Sequence, residues 1–230
     1  MLVVSLTSIP PRFATLRPVL ASILNQRPRP DRVILALPRQ YRRFPGTFPR
    51  PALPDGVVLL RLDTDPGPAA KVLPAARALA GTGARLVYCD DDCLYGPGWL
   101  AALCAAQDGP DTVVAASGFA VTALRRRSTP AGDTDIAQGF SGVLIRPDMI
   151  PSDAYDIPPA AWAVDDIWLS GHYARQDLPI RLAPAARAAC TPLNRPGALQ
   201  DAKIDGQTRA GANAACADLL HSRYGLWPPR

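Results

Sequence analysis

The stretch "ARLVYCDDDCLYG", residues 84–96, joins an apolar run to three adjacent aspartates. A short apolar run bounded by turn residues is typical of a buried strand, so Asp90, Asp91 and Asp92 are expected at a strand end. Three ionised carboxylates repel one another, and partial burial adds a desolvation cost. A hard divalent cation offsets that cost because it prefers oxygen ligands.

Side-chain alternation separates the three carboxylates. Residues i and i+2 of a strand point the same way, so Asp90 and Asp92 are expected to face one ligand while Asp91 faces the other side. One or two carboxylates, with substrate phosphates and water, form a usual Mg²⁺ or Mn²⁺ site. A solvated acidic turn is the alternative, because aspartate is favoured in turns at strand ends.

The flanking sequence predicts the fold class. Apolar runs at 2–8, 31–38, 57–63, 84–89 and 112–118 predict strands, and helical spacing predicts helices at 12–26, 67–83 and 96–107. Such alternation indicates an α/β protein with a mostly parallel sheet and helices on both faces. Ligands of such sheets bind beyond the carboxyl ends of the strands, which is where the aspartates fall.

The second half of the chain has a different pattern. It predicts a mobile basic loop at 122–135, a strand pair or bent strand at 138–149, a helix at 163–176, a strand at 178–184 and a closing helix at 212–225. The proline-rich segment 38–56 predicts a surface loop, and weak periodicity at 191–211 predicts disorder without ligand. We interpret 1–230 as a single domain, with 1–119 as its nucleotide-binding half and 120–230 as its acceptor-side half.

Composition narrows the class of protein. The chain has 230 residues, 48% hydrophobic and 20% charged, which is typical of a globular soluble protein. The five scattered cysteines, with Cys89 and Cys93 beside the aspartates, predict neither a disulfide framework nor a zinc site, so we expect a reducing, cytoplasmic location. The sequence contains no apolar stretch long enough for a transmembrane helix and no signal-peptide pattern.

The net charge of +5 and the pI near 9.2 suit anionic partners such as nucleotides, nucleic acid or lipid headgroups. Nucleic-acid binding is set aside because basic and aromatic residues do not interleave as in stacking platforms.

Further candidates for a site lie outside the aspartate cluster. Lys71, near a predicted helix start, can help backbone N–H groups hold a diphosphate, or it is simply solvated. Of Asp165 and Asp166, one is expected to cap the predicted helix and the other to act as a general base or to hold sugar hydroxyls. Gly139 and Gly142 permit close backbone approach to a ligand, or form a bulge or tight bend.

The two histidines, His172 and His221, each stand alone in a predicted helix. Either is a candidate to complete a metal shell, and the alternative for both is a packed or exposed side chain. The run "RRRST" at 125–129 is a candidate to hold an anionic acceptor or lipid phosphate, or is a solvated charge run.

Five segments occur here in a recognisable order: "SLTSIPPR", "GPAAK", "VYCDDDCLY", "GFSGVLI" and "VDDIWLSG". Together they resemble the nucleotide-sugar glycosyltransferases of the GT-A fold, specifically the small bacterial family-two-like members. In that family the acidic triplet is the D-x-D motif.

The resemblance implies a role for each matching position. Asp90 and Asp92 would bind Mn²⁺ or Mg²⁺ and the nucleotide, and Asp91 would lie close to the donor. The nucleoside pocket would be lined by Thr7, Ser8, Ile9 and Arg12. Lys71 would contact the nucleotide, and Asp165 or Asp166 would hold the acceptor or act as base. UDP is the default donor nucleotide because it is the commonest one among the resembling proteins.

The resemblance also implies a chemistry, with its stereochemical outcome open. A bound metal would stabilise the charge on the departing nucleoside diphosphate. A carboxylate that deprotonates the acceptor hydroxyl would give inversion, and one that stabilises an oxocarbenium-like centre would permit retention. The acceptor is expected to be a glycan, a lipid-linked sugar or a small molecule. A partner protein is an alternative source of the acceptor subsite, and peripheral membrane contact is a further option.

Two other functions fit the same residues. A metal-dependent phosphohydrolase or nucleotidyltransferase would share the acidic site and the basic surface, but two-metal chemistry usually needs further carboxylates nearby. A non-catalytic nucleotide-binding relative would bind nucleotide with metal and turn over nothing. The products formed from a nucleotide-sugar discriminate among the three.

Overall fold

The strand that ends at the aspartates lies at the centre of a seven-stranded sheet. A computed structural model of the chain describes residues 1–193, 204 and 206–230. The strands are β1 (Leu2–Thr7), β2 (Arg32–Pro38), β3 (Val57–Leu62), β4 (Arg85–Cys89), β5 (Cys93–Tyr95), β6 (Val113–Ala115), β7 (Gly118–Phe119), β8 (Ile136–Ala137), β9 (Val143–Ile145), β10 (Ile180–Leu182) and β11 (Cys190–Pro192). The α-helices are α1 (Arg17–Leu24), α2 (Leu73–Leu79), α3 (Trp99–Ala105), α4 (Asp165–Ala174), α5 (Pro184–Ala188) and α6 (Arg209–Tyr224).

The strand order in the large sheet is β10-β6-β9-β4-β1-β2-β3. Neighbouring strands are parallel except around β9, which runs antiparallel to both β4 and β6. Two small antiparallel sheets, β5 with β11 and β7 with β8, complete the described strands. The mostly parallel α/β sheet expected from the sequence is therefore confirmed.

Helices cover both faces of this sheet. Along β4, Leu86 and Tyr88 pack into a core cluster with residues of α2 and α4, whereas Val87 and Cys89 pack into a second cluster with α1 and α3. Alternating strand residues therefore go to opposite faces, and both faces are apolar. Strands buried in this way read as continuous apolar runs, which is why the sequence predicts them well.

The predicted single helix at 67–83 is wrong in one respect, because the segment forms two helices. A 3₁₀ helix covers Gly67–Lys71, and α2 begins only at Leu73. Pro74 explains the break, since a proline ring clashes with the carbonyl four residues earlier and is tolerated only in a first helical turn. Lys71 therefore ends a 3₁₀ turn directly before the N-cap of α2, which agrees with its predicted place near a helix start.

The segment 138–149 contains one strand where the sequence allows a strand pair or a bent strand. A 3₁₀ turn at Gly139–Ser141 leads into β9, and a second follows at Pro147–Met149. Of the segment 191–211, for which disorder is expected, residues 194–203 and 205 lie outside the described residues. Its described ends include the end of β11 and the start of α6.

Candidate active site

A cavity of about 870 Å³ opens where β1, β2 and β4 end. Its lining includes Thr7, Ser8 and Pro38 from the first two strands and the three aspartates that follow β4. Parallel strands present their carboxyl ends at one edge of a sheet, so these distant segments meet there. Asp165 and Asp166 at the start of α4 line the same cavity, as do Ile9, Arg12 and Lys71.

The three aspartates differ in exposure. The side chains of Asp90 and Asp92 are 31% and 28% exposed, whereas that of Asp91 is 5% exposed. Asp91 accepts hydrogen bonds from the Ser8 hydroxyl and from the Arg12 guanidinium. The buried middle carboxylate thus ties the segment after β4 to the segment after β1, and the outer two carboxylates face the cavity.

Charge crowding is strongest at Asp92. Burial, and next the charge of Asp90, raise its pKa to about 6, and the Arg12 guanidinium 3.3 Å away opposes that rise. The pKa of Asp91 is also raised by burial, against the opposing effects of Arg12 and Ser8. The cluster therefore carries negative charge that its protein neighbours only partly offset.

Lys71 is more deeply buried than Arg12, the other buried basic side chain in the described lining of the cavity. Its side chain is 2% exposed, and Nζ donates to Asp90 Oδ1 at 2.7 Å. Asp165 Oδ2 lies 3.0 Å from Nζ and forms an ion pair with it, but the angles of this contact do not meet those of a hydrogen bond. Burial alone would lower the pKa of Lys71, but the charges of Asp165, Asp90 and Asp166 outweigh burial and raise it well above its usual value. The ammonium therefore stays charged.

The two aspartates of α4 take different partners, and the prediction that one of them caps the helix is wrong. The N-cap residue is Val164, and no side chain caps this helix. Asp165 is buried against Lys71, whereas Asp166 Oδ1 accepts a hydrogen bond from the Gly139 amide at 2.9 Å. Arg209 Nη2 lies 3.8 Å from Asp166 Oδ2. Both carboxylates are held by tertiary contacts where the sequence pattern predicts a local cap.

The two glycines lie behind the cavity wall. Neither belongs to the described residues that line the cavity, although their neighbours Gln138 and Phe140 do. A Cβ on Gly139 would come within 2.8 Å of Lys71 Nζ, and one on Gly142, whose φ is +110°, within 2.5 Å of the Trp99 ring. Both positions need glycine for packing, and Gly142 matches the tight bend that the sequence left open.

The remaining candidates do not reach the cavity. His172 is buried in α4, where burial lowers its pKa to about 4, and the His221 ring contacts the Leu226 carbonyl oxygen at 3.0 Å. Within the basic run 125–129, Arg126 pairs with Asp218 of α6. None of these residues is among the described lining of the cavity.

The proline-rich loop at 38–56 forms one wall of the cavity, which the sequence patterns do not predict. Tyr41 donates a hydrogen bond to the Ser8 carbonyl oxygen at 3.0 Å and packs edge-on against Phe13 and Phe44. Arg43 and Phe44 line the cavity beside it. The only signal available was the cluster "QYRRF" inside a segment that otherwise reads as a surface loop.

A second missed wall joins segments far apart in sequence. The Trp162 indole donates to the Asp65 carbonyl oxygen at 2.9 Å, and the Arg42 guanidinium stacks on its ring. Arg209 and Asn213 of α6 close this side. Asp65 follows β3 at the same sheet edge as the other site residues, so strand topology could have indicated it, but no local pattern indicates Trp162 or α6.

The described lining suits a divalent cation. It contains six aspartates but four basic side chains, Arg12, Arg43, Lys71 and Arg209, which leaves an excess of two carboxylates. No group of three or more His, Cys, Asp or Glu side chains with metal-site geometry occurs among the described residues. Mg²⁺ and Mn²⁺ sites are commonly made by one or two carboxylates completed by substrate phosphates and water, so Asp90 and Asp92 fit this requirement.

Comparison with solved structures identifies the architecture. The chain superposes on the galactosyltransferase LgtC, in complex with donor and acceptor sugar analogues, with a TM-score of 0.50 and 12% identity over 96% of each chain. It superposes on glucosyl-3-phosphoglycerate synthase of Mycobacterium tuberculosis, in complex with Mn²⁺ and UDP, with a TM-score of 0.51 and 15% identity over 85% of this chain and 73% of that one.

A third similar structure is TarS of S. aureus in complex with UDP, with a TM-score of 0.50 and 13% identity over 98% of this chain and 72% of that one. The chain has the GT-A glycosyltransferase fold. At these identities the likeness shows the fold alone. No protein-family model matches the sequence, and no curated protein sequence matches it either.

No candidate membrane-spanning helix occurs among the described residues. Each described helix is too short or too polar to cross a bilayer.

Proposed function

We propose that the chain is a metal-dependent glycosyltransferase that moves a sugar from a UDP-sugar to a hydroxyl group of an acceptor. One observation carries the proposal: Asp90, Asp92 and Asp166 line a single cavity at the carboxyl edge of a GT-A sheet. Candidate metal ligands and a candidate base thus share the space that a donor would fill. The Mn²⁺ and UDP named for the synthase structure support this choice of metal and nucleotide.

Asp90 and Asp92 would hold the metal, with donor phosphates and water as the other ligands. A bound Mn²⁺ or Mg²⁺ supplies Lewis-acid stabilisation of the charge on the departing diphosphate. Arg12 is held by Asp91 and Asp92 and brings a fixed positive charge to the same side of the cavity. Thr7, Ser8 and Ile9 would line the nucleoside pocket, with Tyr41 as an additional wall.

Asp166 is the candidate general base. It accepts one hydrogen bond from Gly139 and keeps some solvent exposure, whereas Asp165 is buried against Lys71. Burial, and next the charge of Asp165, raise the pKa of Asp166 to about 6. A base with a pKa near 6 is ionised at neutral pH and still takes up a proton readily, which suits deprotonation of an acceptor hydroxyl.

The acceptor would enter from the side closed by Trp162, Arg209 and Asn213. Arg209 on this side lies 3.8 Å from the Asp166 carboxylate, so an acceptor bound there would come close to the candidate base. A glycan, a lipid-linked sugar or a small molecule would offer the required hydroxyl.

Product analysis tests the proposed reaction. The chain is incubated with Mn²⁺ and a panel of UDP-sugars, without acceptor, and the products are separated by chromatography. A glycosyltransferase that transfers to water releases UDP and free sugar. Release of UMP with sugar phosphate would instead identify a phosphohydrolase. No product with any donor, even after a panel of sugar acceptors is added, would leave only nucleotide binding. Asp92→Asn, which removes one proposed metal ligand, should abolish this release of UDP. Asp111→Asn, at an exposed position outside the cavity, is its matched control and should leave the release unchanged.

A further inference from the structure

Lys71 connects the two acidic segments of the site. Nζ lies 2.7 Å from Asp90, which follows β4, and 3.0 Å from Asp165, which begins α4. These segments are more than seventy residues apart in sequence. The ammonium is buried, and Asp165 is buried with it. A buried ion pair with this geometry restrains both partners, because separating them leaves an unpaired charge in the interior.

The slot around Lys71, meaning the narrow space between its ammonium and Gly139, fits an unbranched amine side chain. Lys71 is one of only two lysines among the 25 basic residues of the chain. A Cβ at position 139 would come within 2.8 Å of both Cε and Nζ of Lys71 and within 3.2 Å of Asp166 Oδ1. The planar and wider guanidinium group of arginine is not equivalent to an ammonium in so narrow a slot. Size, as well as charge, therefore matters at this position.

We propose that Lys71 is a positioning residue that clamps the metal-binding segment after β4 to the first turn of α4. The inference rests on the proposed function for the roles of Asp90 and Asp166. This role differs from the nucleotide contact that the sequence predicts, because the Lys71 ammonium is already paired with two carboxylates. The clamp orients Asp90 toward the metal and holds the turn that carries Asp166.

The change in Mn²⁺ affinity when Lys71 is removed distinguishes a positioning role from a purely electrostatic one. If Lys71 acted only as a nearby positive charge, its removal would strengthen Mn²⁺ binding, because like charges repel. If Lys71 orients Asp90, its removal or displacement weakens Mn²⁺ binding. Removing a group that orients a metal ligand typically costs about 10–100-fold in metal affinity.

Gly139→Ala is the decisive variant because it keeps every charge. Gly139 is not among the positive-φ glycines, so alanine is allowed by its backbone, and the added methyl group pushes against the ammonium. Lys71→Met is the second variant, although it leaves Asp165 without its cation and is expected to reduce stability. Gly98→Ala is the matched control, since a Cβ there meets nothing within 4 Å.

The test has three measurements. The binding of Mn²⁺ alone is followed by the loss of the free-ion paramagnetic resonance signal, UDP binding by titration calorimetry, and backbone protection by amide hydrogen exchange. We expect Gly139→Ala and Lys71→Met to weaken Mn²⁺ binding about 10–100-fold, with Gly98→Ala unchanged. Exchange should quicken in the segment after β4 and in the first turn of α4 together.

Three outcomes would overturn the clamp. Unchanged or tighter Mn²⁺ binding with wild-type exchange rates would reject positioning. Weaker UDP binding at unchanged Mn²⁺ affinity would instead return Lys71 to the nucleotide contact expected from the sequence. A wild-type chain that binds neither Mn²⁺ nor UDP would reject the proposed function and this role with it.

Discussion

The two adjacent aspartates at the start of α4 have different surroundings. Asp165 is buried and faces Lys71. Asp166 points to the Gly139 amide and to Arg209, and lines the cavity with part of its carboxylate exposed. Only the second arrangement leaves a carboxylate able to meet an acceptor hydroxyl.

Asp166→Asn should therefore abolish most of the transfer rate while leaving UDP binding intact. Loss of a general base typically lowers kcat about 10²–10⁴-fold. Steady-state kinetics with a responsive donor and acceptor measure the effect, and Asp156→Asn, exposed and outside the cavity, is the control. A variant with kcat within a factor of two or three of wild type would exclude Asp166 as the base.

The pH dependence follows from the same residue. The groups that face Asp166 are Asp165 of its own helix, Lys71 and Arg209, and the raised pKa near 6 is the balance of their charges and burial. A base must be deprotonated, so kcat should be level above pH 7 and fall about tenfold per pH unit below about pH 6. Measurement at saturating Mn²⁺ and donor keeps protonation of Asp92 out of the profile. A kcat that stays level down to pH 4.5 would contradict the assignment.

At the scale of secondary-structure elements, β9 is the unusual component of the sheet. It runs antiparallel between β4 and β6 and is entered through Gly142, whose φ of +110° lets the chain turn against Trp99. The Trp99 indole also donates to the Ser141 carbonyl oxygen at 2.7 Å. This bend places Gly139 and Phe140 beside the cavity.

Gly142→Ala should consequently lower the stability of the fold, because it strains this bend and its packing against Trp99. A non-glycine residue at this φ costs roughly 1–3 kcal/mol, and overpacking against Trp99 costs a similar amount, so we expect the free energy of unfolding to fall by roughly 2–6 kcal/mol. Urea denaturation measures it, with Gly98→Ala as the reference. Equal stability of the two alanine variants would show that the bend tolerates a side chain.

At the scale of the whole molecule, the architecture and half of the site follow from sequence patterns. Buried parallel strands appear as continuous apolar runs, and topology rules then bring the segments after β1 and β4 to one edge. The aspartate cluster and "VDDIW" could be found in this way. The two-helix break at Val72 was missed because the apolar spacing continues through it, although Pro74 signals it.

The other half of the site depends on contacts that no local pattern encodes. Trp162 reaches Asp65 across 97 residues of sequence, and Arg209 approaches Asp166 from the last helix. Lys71 looked like a solvated or anion-binding lysine because its two carboxylate partners come from distant segments. The periodicity of a sequence does not predict side-chain partners that tertiary packing brings together. These partners determine which aspartate is buried and which one faces the cavity.

Titration calorimetry can decide whether the carboxylates after β4 hold a cation against a nucleoside diphosphate. UDP is titrated with and without Mn²⁺ into the wild-type chain, Asp92→Asn and the control Asp111→Asn. We expect UDP binding that requires Mn²⁺, is lost in Asp92→Asn and is unchanged in Asp111→Asn. UDP binding that is independent of Mn²⁺ and unaffected by Asp92→Asn, or no UDP binding by the wild-type chain at all, would contradict the account.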